Sequence, residues 1–509
     1  MKHILILGAG LMQKPAIESA RELGCHITVV DANENAICVP LSDRFEKIDL
    51  KDIDSLKKLA LEMKKTNGID GVFTAGTDFS YAVSCIAAEV GLQAHTPQAA
   101  LNASNKILMR TCFKNKVASP DFIELSLDTI KKNTQSAFQA LKKDKKYFVV
   151  KPCDNMGGRG CRMIRSIEEF NPAIHEAIKY SRTKQAILED YMDGKEYSID
   201  ALIFNGEITI TGFADRHIFY PPYFIEMGHT IPTIVSESEK LDLLTAFVNG
   251  IKALGLTYGA AKADIKLTSK GPMIGEIAGR LSGGYMSGWT YPYASKLNVT
   301  KQAILLALGE TPNELIKRRI PIEGMDDIFE VPCSLTSAER AWISIPGMAT
   351  KIENISKAKT IPGVRDVFPR ISAGDITSFP LNNVEKAGNV ISCLKNRNDA
   401  SKACNEARKC IFIRLSTHNK QTDAFLEQPL DTQFPPSAFP VSELMSLNEA
   451  KKSTMTDWNG LTIKESLSIL PSLIKTKVPM KDKKFLHAFY RGGLQGAVYF
   501  CETNRTNAK

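Results

Sequence analysis

The sequence predicts a multidomain chain of mixed α/β and α+β class, and three observations carry that expectation. Its 509 residues, 43% of them hydrophobic, exceed what one core holds at roughly 100 to 200 residues per domain. Strand and helix patterns alternate through the first hundred residues, as in a doubly wound parallel sheet. Beyond them the alternation gives way to strand runs joined by hairpin signals, notably Asn205-Gly206 and Ser269-Lys270-Gly271.

Residues 4–7 read as a buried strand, 15–23 as a helix, 27–30 as a second strand closing at Asp31, and 70–74 as another strand. Gly8-Ala9-Gly10 after the first strand invites a dinucleotide reading with Asp31 on a ribose. Gln13 stands where that fingerprint has its third glycine, however, so a substrate crevice at the carboxyl ends of the strands, shared with Gly76-Thr77-Asp78, is preferred. Residues 103–115 read as one helix with Lys106 and Arg110 on one face, for which a surface pair is the plain explanation.

Residues 148–150 then deliver Lys151 into Lys-Pro-Cys-Asp-Asn-Met-Gly-Gly-Arg-Gly, where Gly157, Gly158 and Gly160 let backbone N–H groups turn toward an anion. The lysine precedes the glycines, so this is not a Walker loop; the choice lies between a phosphate clamp and a plain hairpin. Residues 161–165 read as the returning strand, which puts the loop at a hairpin tip able to close as a lid, and 167–181 as a helix. An apolar run then enters Glu189-Asp190-Tyr191-Met192, followed by Glu196. Further on, Asp264 and Glu276 fall on strands joined by a short turn, with Arg280 four residues beyond. Two converging carboxylates suit a hard cation, and a surface charge pair is the alternative.

The net charge of +9 lies in short lysine clusters at 142–146 and 481–484 without aromatic interleaving, which reads as solvated faces and no nucleic-acid partner. Eleven cysteines without a Cys-x-x-Cys pair suggest neither a disulfide framework nor a zinc site. The apolar run at 4–7 is too short for a signal peptide or a membrane span, so no membrane partner and a cytoplasmic location are expected.

Taken in order, these pieces resemble the ATP-grasp superfamily over about residues 1–410, most closely its carboxylate-amine ligase and carbamoyl-phosphate-synthase-like branch. The finer likeness lies in Leu11-Met12-Gln13, Pro15, Asp31-Ala32-Asn33 and the Gly283-Gly284-Tyr285 that follows Arg280. The resemblance implies a pre-ATP-grasp domain at 1–100, a two-lobed ATP-grasp domain at 101–330 with its lid at about 118–190, and a small β-rich subdomain at 331–412. It implies ATP and Mg2+, with Mn2+ as an alternative metal. Lys106 and Lys151 would contact phosphates, Glu189, Asp190, Tyr191 and Met192 would form the adenine hinge, partly through backbone groups, and Glu196 would hold the ribose. Asp264 and Glu276 would bind metal, and Arg280 would neutralise the transferred phosphoryl group. Asp264 replaces the more usual glutamate, and Ala278 replaces the asparagine that many members carry, which removes one metal ligand.

The activity implied is ATP-dependent joining of a small carboxylate to an amine through an acyl phosphate; the alternative is a nucleotide-binding regulatory protein without turnover. The acceptor carboxylate is expected near Arg280, Ser282, Gly283 and Gly284, with Asp78 completing the pocket and His229, read as a loop histidine, as a further contact. The resemblance does not extend to residues 413–509. The proline-rich stretch 433–440 reads as an extended linker, the arginine–glycine run 491–496 as a structural turn, and a chain ending near Arg414 is expected to fold and bind Mg-ATP; against this, the apolar residues of 467–474 and 485–500 need burial, so docking of the tail on the ligase body or across a homodimer stays open.

Overall fold

The computed structural model describes residues 1–128, 136, 138–139, 147–441, 450–474 and 477–505. The lysine cluster at 142–146 and part of the expected lid lie outside them. The chain divides into two compact units, Met1–Arg216 with His229–Ser337, and His217–Gly228 with Ala338–Lys509.

The first unit begins with four parallel strands in the order Arg44–Lys47, His26–Asp31, His3–Leu7 and Gly71–Phe73. Alternation along the first strand divides its side chains between two cores. Ile4 and Ile6 pack with the helices Lys14–Glu22 and Val299–Ala307, while Leu5 and Leu7 pack with Ile53–Thr66 and Ser80–Val90. One face of this sheet is therefore covered by the helix Val299–Ala307 from far downstream, and a Cβ on Gly71 would lie 2.9 Å from the Ala307 carbonyl. The expected boundary near residue 100 is thus not a boundary between compact units.

The helix expected over 103–115 is two, Pro97–Ser104 and Lys106–Phe113. Asn105 separates them in an extended conformation and caps the second, its Oδ1 accepting from the N–H groups of Ile107 and Leu108. Next comes an antiparallel sheet in the order Phe122–Ser126, Gln185–Asp190, Phe148–Pro152 and Arg162–Ile164, backed by helix Ile167–Tyr180 through Phe170, Ala173 and Ile174. A larger sheet runs Gly271–Ala278, Gly259–Thr268, Lys195–Phe204 and Glu207–Phe219, with helix Glu237–Leu254 and the residues Met109 and Phe113 on its apolar face.

The second unit contains the strands Thr336–Trp342, Gly388–Leu394 and Val364–Pro369, the small sheet of Ile376–Thr377, Gly347–Glu353 and Phe412–Leu415, and helix Arg397–Cys410. Its core does not stop at residue 412. Phe425, Phe439, Phe485, Phe489 and Tyr490 join Trp342, Ile345 and Cys404 in one buried cluster. The linker expected at 433–440 is corrected by this packing: Ser437, Ala438 and Phe439 are buried, and the Ala438 and Phe439 N–H groups donate to the carbonyls of Arg491 and Tyr490. Asn459 pairs through both ends of its amide with the Ile343 backbone. The arginine–glycine run lies within helix Lys483–Arg505, broken only at Gly493 (φ 61°, ψ −150°).

Among the described residues no helix is long and apolar enough to cross a membrane, all eleven cysteines are unpaired, and Lys481, Lys483 and Lys484 are exposed as expected of a solvated face.

Candidate active site

Strand Phe148–Pro152 carries Lys151 to the mouth of the glycine loop. Gly157, Gly158 and Gly160 all adopt left-handed φ values, of 72°, 74° and 69°, which side chains rarely tolerate. A Cβ at Gly160 would also sit 3.0 Å from the Tyr180 ring. Asp154 anchors the base of the loop, accepting from Ser181 Oγ and from the N–H groups of Arg182 and Thr183 at 2.8–2.9 Å. Lys106 reaches the loop from the other side, with its Nζ 3.1 Å from the Asn155 carbonyl and 3.4 Å from Glu276 Oε2. The pair read as a surface feature is therefore interior, since Lys106 and Arg110 are both buried.

Asp264 and Glu276 are direct partners across the antiparallel pair Gly259–Thr268 and Gly271–Ala278, so both carboxylates lie on one face. The register shifts just beyond this pair, Ile265 opposing Ile274 and leaving Gly275 extra, a bulge of the kind that re-aims a side chain. Burial would raise the Glu276 carboxyl, but Lys106, Lys262, Lys151 and Arg280 outweigh it and hold it at about 2. Asp264 is met by Arg216 Nη1 and Lys262 Nζ, each at 2.5 Å. Two adjacent carboxylates, one held firmly ionised, fit a divalent cation with oxygen preference, and Ala278 adds no ligand to them. Burial opposes charge on Lys106 as well, but Glu276, Asp78 and Glu189 raise its pKa above the ordinary lysine value.

Arg280 leaves the end of the second carboxylate strand, with its Nη1 donating to the Leu281 carbonyl at 3.0 Å and its Nε 3.9 Å from Asp78 Oδ1. Burial pushes the Asp78 carboxyl up despite Arg280. Ala75 and Leu281 form a parallel bridge, and a Cβ at Gly283 would lie 3.0 Å from the Gly76 carbonyl, so Ser282, Gly283 and the crevice loop 76–78 come together. Asp200 fixes this turn by accepting the Ser282 N–H at 2.8 Å, and its own carboxyl is pushed up to about 6 by burial. Gly284 follows with φ 62°.

One expectation needs correction, that of His229 as a loop residue; the other residues named for the site have the following surroundings. The Glu189 side chain is buried, with Arg110 Nε at 2.8 Å and Lys151 Nζ at 2.5 Å, and these cations outweigh burial to lower its pKa. At the hinge the Asp190 and Tyr191 N–H groups donate to the carbonyls of Asp121 and Tyr147, while Met192 presents its carbonyl to Lys266, whose Nζ lies over the Tyr191 ring. Glu196 is already ion-paired, with Arg216 at 2.5 Å and Lys266 at 3.5 Å. His229 belongs to strand Ile225–Ile231 and is fully buried, not a loop residue. Asp31 accepts the Ala9 N–H and so braces the glycine turn, and Gln13 clasps both the N–H and the carbonyl of Ala75.

The partners of Arg110, Arg216, Lys262 and Gln13 are absent from the sequence reading. Arg216 was nearly within reach of it: counting out from the Asn205-Gly206 turn brings Asp215 opposite Glu196, and a register shift between Ile210 and Gly212 puts Arg216 there instead. Arg110 was not, since its partner Glu189 is 79 positions away.

Comparison with protein families matches residues 145–288, which hold the glycine loop and both carboxylates, to the ATP-grasp domain. The chain contains an ATP-grasp domain. Residues 341–416 match the L-amino acid ligase C-terminal domain 2, so the ATP-grasp domain is followed by an element of the amino-acid ligases. Carnosine synthase 1 of Homo sapiens is 23% identical over 334 residues, covering 61% of this chain and 40% of the relative. The chain therefore spans less than half of that protein. The uncharacterized protein y4rH of Sinorhizobium fredii is 22% identical over 434 residues, covering 84% of this chain and 86% of its own length. Among solved structures, an L-amino acid ligase from Bacillus licheniformis superposes with a TM-score of 0.68 at 17% identity, covering 82% of this chain and 99% of that one. A phosphoribosylglycinamide synthetase from Anaerococcus prevotii does so with a TM-score of 0.60 at 19% identity, covering 82% and 100%. Both share the ATP-grasp fold.

Proposed function

We propose that this ATP-grasp protein is an ATP-dependent ligase that activates the carboxylate of an amino acid as an acyl phosphate and joins it to an amine, releasing ADP and phosphate. The observation that carries the reading is the meeting at Lys106 of the glycine loop and the ionised Glu276, at 3.1 and 3.4 Å. A cation between a backbone anion cradle and a metal-binding carboxylate suits a terminal phosphate. The names carnosine synthase and L-amino acid ligase among the relatives support amino acids as the substrate class.

In this scheme Lys106 and Lys151 bind and orient the phosphates, and the N–H groups around Gly157, Gly158 and Gly160 take their oxygens. Asp264 and Glu276 would hold Mg2+, which when bound neutralises phosphate charge. Arg280, beside Asp78 and the Ser282–Gly284 turn, faces the acceptor carboxylate and balances the negative charge that builds up as its oxygen attacks phosphorus. Amide formation in water is uphill; phosphorylation supplies the leaving group, and a closed lid keeps water from the acyl phosphate. No side chain needs to form a covalent bond.

Incubating the full chain with Mg-ATP and pairs of amino acids, and measuring ADP against pairs lacking either member, tests the proposal. ADP release that depends on both members and accompanies a new amide supports it. Mg-ATP binding without release for any pair favours the non-turnover reading, for which Ala278 in place of a metal ligand is the one specific observation.

A further inference from the structure

Arg110 has no part in the scheme above, yet it is one of the largest fully buried side chains of the protein. It stands one turn beyond Lys106 on helix Lys106–Phe113 and ties together elements from both sheets around the site. Its Nε donates to Glu189 Oε1 at 2.8 Å, at the end of the strand beside Lys151, and its Nη2 donates to the Gly275 carbonyl at 2.7 Å, in the bulge next to Glu276. The second oxygen of Glu189 holds Lys151 Nζ at 2.5 Å. Arg110 Nη1 is buried without a hydrogen-bond partner among the described residues.

A buried guanidinium is costly and must be repaid by its partners. Arg491, in the second unit, shows what a purely structural one looks like: it donates to the carbonyls of Phe425 and Pro435 and to the Ser437 hydroxyl. Arg110 differs because its principal partner is a carboxylate shared with a phosphate-site lysine. Lys151 and Glu189 alone would be a closed, neutral pair offering no net charge to an incoming anion. With Arg110 the group carries one net positive charge, and Glu189 has a second cation to hold when Lys151 turns away.

We propose that Arg110 is a positioning residue of the nucleotide site, which shares its buried charge with Glu189 so that Lys151 stays available to the phosphates of ATP. The inference rests on the nucleotide half of the proposed function and is independent of which carboxylate and amine are joined.

Calorimetric titration of Mg-ATP into the full chain tests it with three variants. Arg110→Met should weaken binding by about tenfold or more, because one unit charge at roughly 10 Å and an effective dielectric near 20 corresponds to about a decade in affinity. Arg110→Met with Glu189→Gln restores the single net charge and should recover affinity to within about threefold of the natural chain, a non-additivity expected of groups in one network. Arg110→Lys, which keeps the charge, should stay within a similar factor and remains informative if the methionine variant fails to fold. A double variant as weak as or weaker than Arg110→Met, or an Arg110→Met chain that binds as the natural one does, overturns the inference while leaving the nucleotide reading intact. A natural chain that does not bind Mg-ATP overturns both.

Discussion

Ending the chain at Arg414 should destroy the second unit rather than trim it. The cut removes Phe439, Phe485, Phe489 and Tyr490, all fully buried, along with Phe425 and Trp458 from the same core. Phe489 alone lies 5.3 Å from the Phe439 ring and 5.7 Å from Tyr490. Deleting one such ring costs about 3–5 kcal/mol, and a whole domain is stable by only about 5–15 kcal/mol, so loss of two or three is already ruinous. The cut also strips Arg414 of Glu502 and Ile343 of its pairing with Asn459. Limited proteolysis and thermal unfolding of the chain 1–414 beside the full chain make the measurement. The expected result is rapid digestion of residues 338–414 or an insoluble product; Phe489→Ala in the full chain should lower the transition of this unit by roughly 10 °C, at 2–4 °C per kcal/mol. A soluble, protease-resistant 1–414 chain with the melting profile of the full chain would refute the shared core.

Two further outcomes follow from the site. Glu276 has a folded-state value of about 2 against an ordinary 4.5, so its ionised form favours the folded state above pH 4.5 and that contribution fades as pH falls toward 2. It amounts to about 3 kcal/mol, and urea unfolding between pH 6 and 3 should show a shallower pH slope for Glu276→Gln than for the natural chain; identical slopes would contradict the charge balance described. Arg280→Ala should lower turnover at least about a hundredfold while changing Mg-ATP affinity by only about threefold, because its charge is needed most where the phosphoryl group transfers. Steady-state kinetics beside a direct binding titration separate the two, and equal losses would count against the role assigned to Arg280.

What the sequence made legible was local. The carboxylates could be placed on neighbouring strands because a short turn joins them, although counting from that turn puts Gly275 opposite Asp264 and only the bulge at Gly275 pairs Asp264 with Glu276; the glycine loop could be placed because strand, lysine and glycines follow one another without a gap. Asn105 was legible as a helix cap but was absorbed into a longer helical pattern, since Asn in mid-helix is tolerated more readily than Gly or Pro. The ion pair of Glu189 was not legible because nothing near it in the chain marks Arg110 as its partner; only packing of the helix Lys106–Phe113 beneath two sheets brings them together. The tail was misread for a related reason. Proline-rich composition at 433–440 describes local stiffness, whereas Phe439 is buried by side chains of helix Lys483–Arg505, some fifty residues on, about which composition says nothing.

The central claim, that a carboxylate is activated as an acyl phosphate, is tested most directly by isotope transfer. With the amino-acid pair that releases ADP, the carboxylate donor is supplied labelled with 18O in both carboxyl oxygens, and the phosphate released is weighed by mass spectrometry. In-line attack of the carboxylate on the terminal phosphoryl group followed by displacement by the amine leaves one labelled oxygen in each phosphate. Phosphate that carries a single 18O in step with amide formation is the result this account predicts. Unlabelled phosphate accompanying the same amide would contradict it.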